Sequence, residues 1–120
     1  MLAKTIAFSA VLLLGTYNIS TPYSISIKNE SPNAVKITMV YAGGSAICPN
    51  AELEIKSGET RSVESGACCT SYVSIYGLEG TVKNKTFTYQ PPVTGFGIAC
   101  RGFSFVIKQT ADGALVGTTI

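Results

Sequence analysis

The strongest constraint in this sequence is its rhythm. From residue 23 onward, apolar and polar side chains alternate in short runs, and each run stops at a cluster of Gly, Pro, Asn or Ser. Tyr23, Ile25 and Ile27 alternate with Ser24, Ser26 and Lys28, and residues 29–33 (Asn-Glu-Ser-Pro-Asn) form a turn cluster. Val35, Ile37 and Met39 alternate with Lys36 and Thr38, and Gly43-Gly44 ends that run. Leu53 and Ile55 lead through Ser57-Gly58 into a further strand over residues 60–64. Residues 68–76 form an aromatic and β-branched run, and residues 81–89 form another, which Pro91-Pro92 stops because proline cannot donate to a ladder. Residues 96–100 read as a short strand. Phe103, Phe105 and Ile107 alternate next, and Asp112-Gly113 is a hairpin signal before the last strand at 115–120. Period two places alternate residues on opposite faces of a strand. Eight or nine such strands, spaced 8–12 residues apart with no helical run after residue 20, predict an all-β chain folded as an Ig-like antiparallel β-sandwich.

A chain of 120 residues makes one domain of this kind. The predicted organisation is an apolar segment at 1–14, a polar linker at 15–22 and the sandwich domain at 23–120.

The four cysteines, Cys48, Cys68, Cys69 and Cys100, place the compartment. With no histidine present and no pair of Cys-x₂₋₄-Cys knuckles, they do not make a zinc site. An even number in a short chain reads as disulfides formed under oxidising conditions. Neighbours on a strand point to opposite faces, so Cys68 and Cys69 are expected to bridge separately to Cys48 and Cys100, with the pairing left open. Asn18, Asn29 and Asn84 each begin an Asn-x-Ser/Thr sequon, so covalent glycans are candidate partners. These features predict a secreted or cell-surface protein.

Catalysis finds no support in the residue inventory. Without histidine there is no Ser-His-Asp or Cys-His arrangement to activate a nucleophile. Seven carboxylates are present, and Glu52 and Glu54 share a strand face at i, i+2, the pattern of a solvated strand. A glycosidase needs two held across a cleft. No Gly-rich loop opens a helix, so no nucleotide cofactor is expected, and no metal. Net charge is +2 with the basic residues scattered, which argues against a nucleic-acid partner. Charged residues are only 13%, against about 25% in ordinary soluble domains. Either the apolar N-terminus accounts for that or part of the surface is covered by partners. Tyr72 and Tyr76 share a strand face with Ser74 between them. Cross-strand packing is the plain reading of that pair, and a sugar-binding platform is the alternative.

The N-terminus carries two readings. Lys4 followed by the apolar residues 5–15 has the outline of a signal peptide and is too short for a stable membrane span, but no Ala-x-Ala cleavage site follows. Read as a strand, it puts Ile6, Phe8, Ala10, Leu12 and Leu14 on one face. An apolar alternating extension, a short polar linker and then an Ig-like sandwich resembles pilus and fibre subunits that assemble by donor-strand exchange. That resemblance implies a structural subunit of an extracellular fibre, whose N-terminal strand completes the sheet of another copy of itself. The eight linker residues reach roughly 27 Å when extended, enough to carry the strand into a neighbour. The alternative is a monomeric secreted β-sandwich that binds a glycan or protein ligand and has lost its signal peptide.

Overall fold

In the computed structural model, which describes residues 23–94 and 97–120, strands form where the alternation is strongest. They are β1 (Ser24–Asn29), β2 (Val35–Tyr41), β3 (Ala51–Ile55), β4 (Thr60–Glu64), β5 (Thr70–Gly77), β6 (Thr86–Tyr89), β7 (Phe103–Gln109) and β8 (Leu115–Thr119). They make two four-stranded sheets, β4-β1-β7-β8 and β3-β2-β5-β6. The all-β sandwich is therefore the fold.

Its connectivity adds a feature that alternation does not announce. Every connection reverses the chain, so odd-numbered strands run one way and even-numbered strands the other. β1 pairs antiparallel with β4 (Ile25 opposite Val63) but parallel with β7 (Ile27 opposite Phe105). The β4-β1-β7-β8 sheet is thus mixed while the β3-β2-β5-β6 sheet is wholly antiparallel, and the strand order differs from the ABED/CFG order of an immunoglobulin constant domain.

Alternation decides what is buried. Ile25 and Ile27 of β1, Val35, Ile37 and Met39 of β2, Val73 and Ile75 of β5, and Phe105 and Ile107 of β7 are all 0% exposed. The Tyr89 ring of β6 stacks on Phe105 from the opposite sheet, with centroids 4.3 Å apart. Each such apolar side chain contributes about 1.5–3 kcal/mol when it leaves water.

Two expected strands are shorter than the sequence pattern indicates. Of residues 81–89 only Thr86–Tyr89 is strand, because Gly80–Val82 folds into a 3-10 turn. That turn packs back on Gly77, where a Cβ would meet the Val82 carbonyl oxygen at 2.0 Å. Of residues 97–100 only Ile98 and Ala99 make bridges, that of Ala99 with Thr70, and neither extends into a strand.

The reversing topology sorts the loops between the two ends of the sandwich. The connections at 30–34, 56–59, 78–85 and 110–114 lie at one end. Those at 42–50, 65–69 and 90–102 lie at the other, and this end holds every cysteine. The bridges are Cys48–Cys68 and Cys69–Cys100. The adjacent pair in the middle loop therefore ties all three of these loops together.

Candidate functional site

The outer face of the β3-β2-β5-β6 sheet is the most chemically varied surface of the described residues. Val73 and Ile75 point into the core, so Tyr72, Ser74 and Tyr76 of the same strand point out. Strand register then sets out rows across the sheet. Glu54, Lys36, Tyr76 and Thr86 make one row, Glu52, Thr38, Ser74 and Thr88 the next, and Val40 lies opposite Tyr72 in a third. The two tyrosines are four residues apart on one strand, roughly 13 Å along its axis.

Each ring has a distinct setting. Tyr72 is 41% exposed. Tyr76 is half-buried, with the Lys36 ammonium 5.4 Å from its ring centroid and its hydroxyl donating to Asn84 Oδ1 at 2.7 Å. The cation over one face and the hydrogen bond at the tip hold that ring in place. At the edge, Gln90 Nε2 donates to the Ser71 carbonyl at 3.1 Å. The plain reading of Tyr72 and Tyr76 as packing residues is thus only half right, since they border solvent and not the core.

Glu52 and Glu54 are both exposed on this same face. They stand side by side on an open sheet and not across a cleft, and no cavity opens among the described residues. No group of three Cys, Asp or Glu side chains among the described residues could hold a metal ion. The other sheet presents a simpler outer face. Ser62, Ser26 and Ser104 form one row and Thr60, Lys28, Val106 and Thr118 the next, without an aromatic ring.

The sequon asparagines have separate fates. Asn84 is exposed and sits in a left-handed turn at φ 64°, a conformation Asn tolerates better than most residues. Asn29 corrects the expectation of a glycan there. Period two that buries Ile25 and Ile27 also buries Asn29, which is 0% exposed. Its Nδ2, the atom a glycan would occupy, donates to the carbonyls of Asn33 at 2.9 Å and Ile55 at 3.1 Å. Asn18 and the donor-strand residues Ile6, Phe8, Ala10, Leu12 and Leu14 lie outside the described residues.

Among the described residues three groups have perturbed ionisation, and none lies on the tyrosine face. Burial pushes the Tyr41 phenol above its usual range, and its hydroxyl has no hydrogen-bond partner. Burial also raises Tyr89, against a smaller opposing effect from its hydrogen bond with Thr119. The Thr110 hydroxyl, with backbone amides, holds Asp112 below the usual carboxylate range, as expected of a turn carboxylate. No helix of the described residues is long and apolar enough to cross a membrane.

No family model and no curated protein matches this sequence. Among solved structures, the chain is similar to a protein from Eubacterium rectale determined by NMR. The TM-score is 0.55 at 12% identity, over 83% of this chain and 89% of that one. At that identity the likeness is one of fold alone.

Proposed function

We propose that this chain is a secreted, non-catalytic β-sandwich module that binds a glycan on the outer face of the β3-β2-β5-β6 sheet. The observation that carries this reading is the outward placement of Tyr72 and Tyr76 on one strand, among hydroxyl, amide and carboxylate side chains. A sugar ring has an apolar C–H face and a rim of hydroxyls. A tyrosine ring offers an apolar face with a polar tip. Ser74, Thr38, Thr88, Glu52 and Gln90 supply donors and acceptors for the rim. A flat face suits an extended chain better than a small free sugar, which is bound in concave sites. The two disulfides support an oxidising compartment, and Asn84 is the sequon asparagine we expect to carry sugar.

The fibre reading rests on residues 5–14. Two features favour the free-standing module over it. Ile25, Ile37, Phe105 and Ile107 are all 0% exposed, and no cavity opens among the described residues. A subunit awaiting a donor would expose an apolar groove instead. The first residue of the mature extracellular protein decides between them. A start near residue 20 favours the module, and retention of residues 5–14 favours the fibre.

Retention of the protein on a panel of soluble and insoluble polysaccharides tests the glycan reading. Tyr72→Ala and Tyr76→Ala should each weaken binding about tenfold, equivalent to about 1.4 kcal/mol, while leaving the melting temperature within a few degrees. Failure to bind any member of the panel, or binding indifferent to both substitutions, refutes it.

A further inference from the structure

Among the described residues the sandwich has four edge strands, and they are not equally protected. Exposed backbone at a sheet edge invites another strand, and charge or proline on the edge discourages it. β3 carries Glu52 and Glu54, and β4 carries Arg61 and Glu64. β6 is flanked by Lys83 and Lys85 on one side and by Pro91-Pro92 on the other. β8 has none of these. Leu115-Val116-Gly117-Thr118-Thr119-Ile120 contains no charged side chain and no proline, yet Val116 is 40% and Ile120 77% exposed.

We infer that the β8 edge is a self-association surface, on which a second copy of this chain pairs antiparallel about a two-fold axis through Thr118. The register follows from the ladder. Ile120 N–H donates to the Ser104 carbonyl on β7. Backbone groups of alternate residues point to opposite sides of a strand. The backbone groups of Val116, Thr118 and Ile120 therefore face β7, and those of Gly117 and Thr119 face the free edge. An axis through Thr118 sets Gly117 of one copy opposite Thr119 of the other, twice over. Those two pairs can exchange about four hydrogen bonds. On the outer face the same axis sets Val116 opposite Ile120 in both directions and Thr118 opposite itself. Apolar with apolar and Thr with Thr are favourable cross-strand pairs. Thus one sequence run is complementary to itself in both backbone and side chains, as a two-fold interface requires. The two copies would then share one continuous eight-stranded sheet. The interface is small, so association should be concentration-dependent. It also differs in kind from donor-strand exchange, because a two-fold contact closes and does not propagate.

Sedimentation of the full chain over a concentration series tests this. The wild type should shift from monomer to dimer with rising concentration. Thr118→Lys and Thr118→Glu should each remain monomeric, because like charges would meet on the axis. An equimolar mixture of the two variants should recover the dimer. Thr60→Lys, on the opposite edge of the same sheet, should behave as wild type. All variants change exposed positions, and a circular dichroism melt checks that each is folded. A wild type that stays monomeric at every concentration overturns the inference and leaves the edge to a strand of another protein. An assembly that Thr118→Lys does not alter, or that Thr60→Lys abolishes, overturns it equally.

Discussion

Removing the Asn29 side chain should cost this fold more than its size suggests. Asn29 is the last residue of β1 and is 0% exposed. Its amide bonds in both senses. Nδ2 donates to the Asn33 and Ile55 carbonyls, and Oδ1 accepts the Ser31 backbone N–H at 3.0 Å and the Ser31 hydroxyl at 2.7 Å. One side chain thereby joins the end of β1, the 30–34 turn and the end of β3. A net hydrogen bond contributes about 0.5–1.5 kcal/mol, and a buried group left unpaired costs about 1–3 kcal/mol. Asn29→Ala deletes four such bonds, and part of that loss is recovered by water entering at the turn. The expected destabilisation is about 3 kcal/mol, a fall in melting temperature of roughly 12–24 °C for a domain of this size. Asn29→Asp makes a sharper test because it keeps the shape. It turns a donor into an acceptor that faces two carbonyls. Burial would hold the new carboxyl above its usual value of about 3.9. Stability would then fall as pH rises from about 3.9 through the raised folded value, because the unfolded chain gives up its proton first. Thermal melts of both variants between pH 3 and 7, with Asn50→Ala as an exposed control, provide the assay. An Asn29→Ala protein within 1 kcal/mol of wild type would refute the reasoning, and so would an Asn29→Asp protein whose deficit does not grow with pH.

Three further outcomes are expected. Replacing Cys48 and Cys68 together by serine should cost about 3 kcal/mol, from the 20-residue separation they close, measured by urea unfolding. Gly77→Ala should cost about 3 kcal/mol or more, because the new methyl meets backbone and not a movable side chain; a melt unchanged from wild type would contradict the packing of the 3-10 turn on β5. In alkaline titration, the phenolate absorbance of Tyr41 and Tyr89 should appear above the usual phenol range. Stability should fall as pH climbs above about 10, since the unfolded phenols ionise first.

Much of this architecture was legible in the residues, and the gaps have physical causes. Where one face of a strand is fully buried, as in β1, β2 and β7, the alternation is strong and the strand is found. Residues 81–89 misled because Thr, Val and Phe favour strands locally, while the contact between Gly77 and Val82 is made only after β5 is in place. The parallel neighbours β1 and β7 are more than seventy residues apart, and no local pattern carries that pairing. Asn29 shows parity at work in the other direction. The sequon suggested surface, but the phase shared with Ile25 and Ile27 pointed inward. Tyr72 and Tyr76 follow the same logic in reverse, since Val73 and Ile75 take the inward phase and leave both rings outside. The side chains around the rings come from four strands, and β5 supplies only one residue of each row.

The adjacent cysteines also bear on how the chain survives cutting. One bridge spans residues 48 to 68 and the other 69 to 100, so the two rings lie end to end along the chain. A protease that cleaves once within either ring opens a loop but releases no fragment, because the cut ends stay joined through sulfur. The 68–69 peptide bond alone, between those limits, can part the chain in one stroke, and it lies in the shortest of the three tied loops. In a compartment rich in peptidases, nicks at the exposed tips near Ile47 and Val93 would leave a covalently whole molecule that falls into pieces only on reduction.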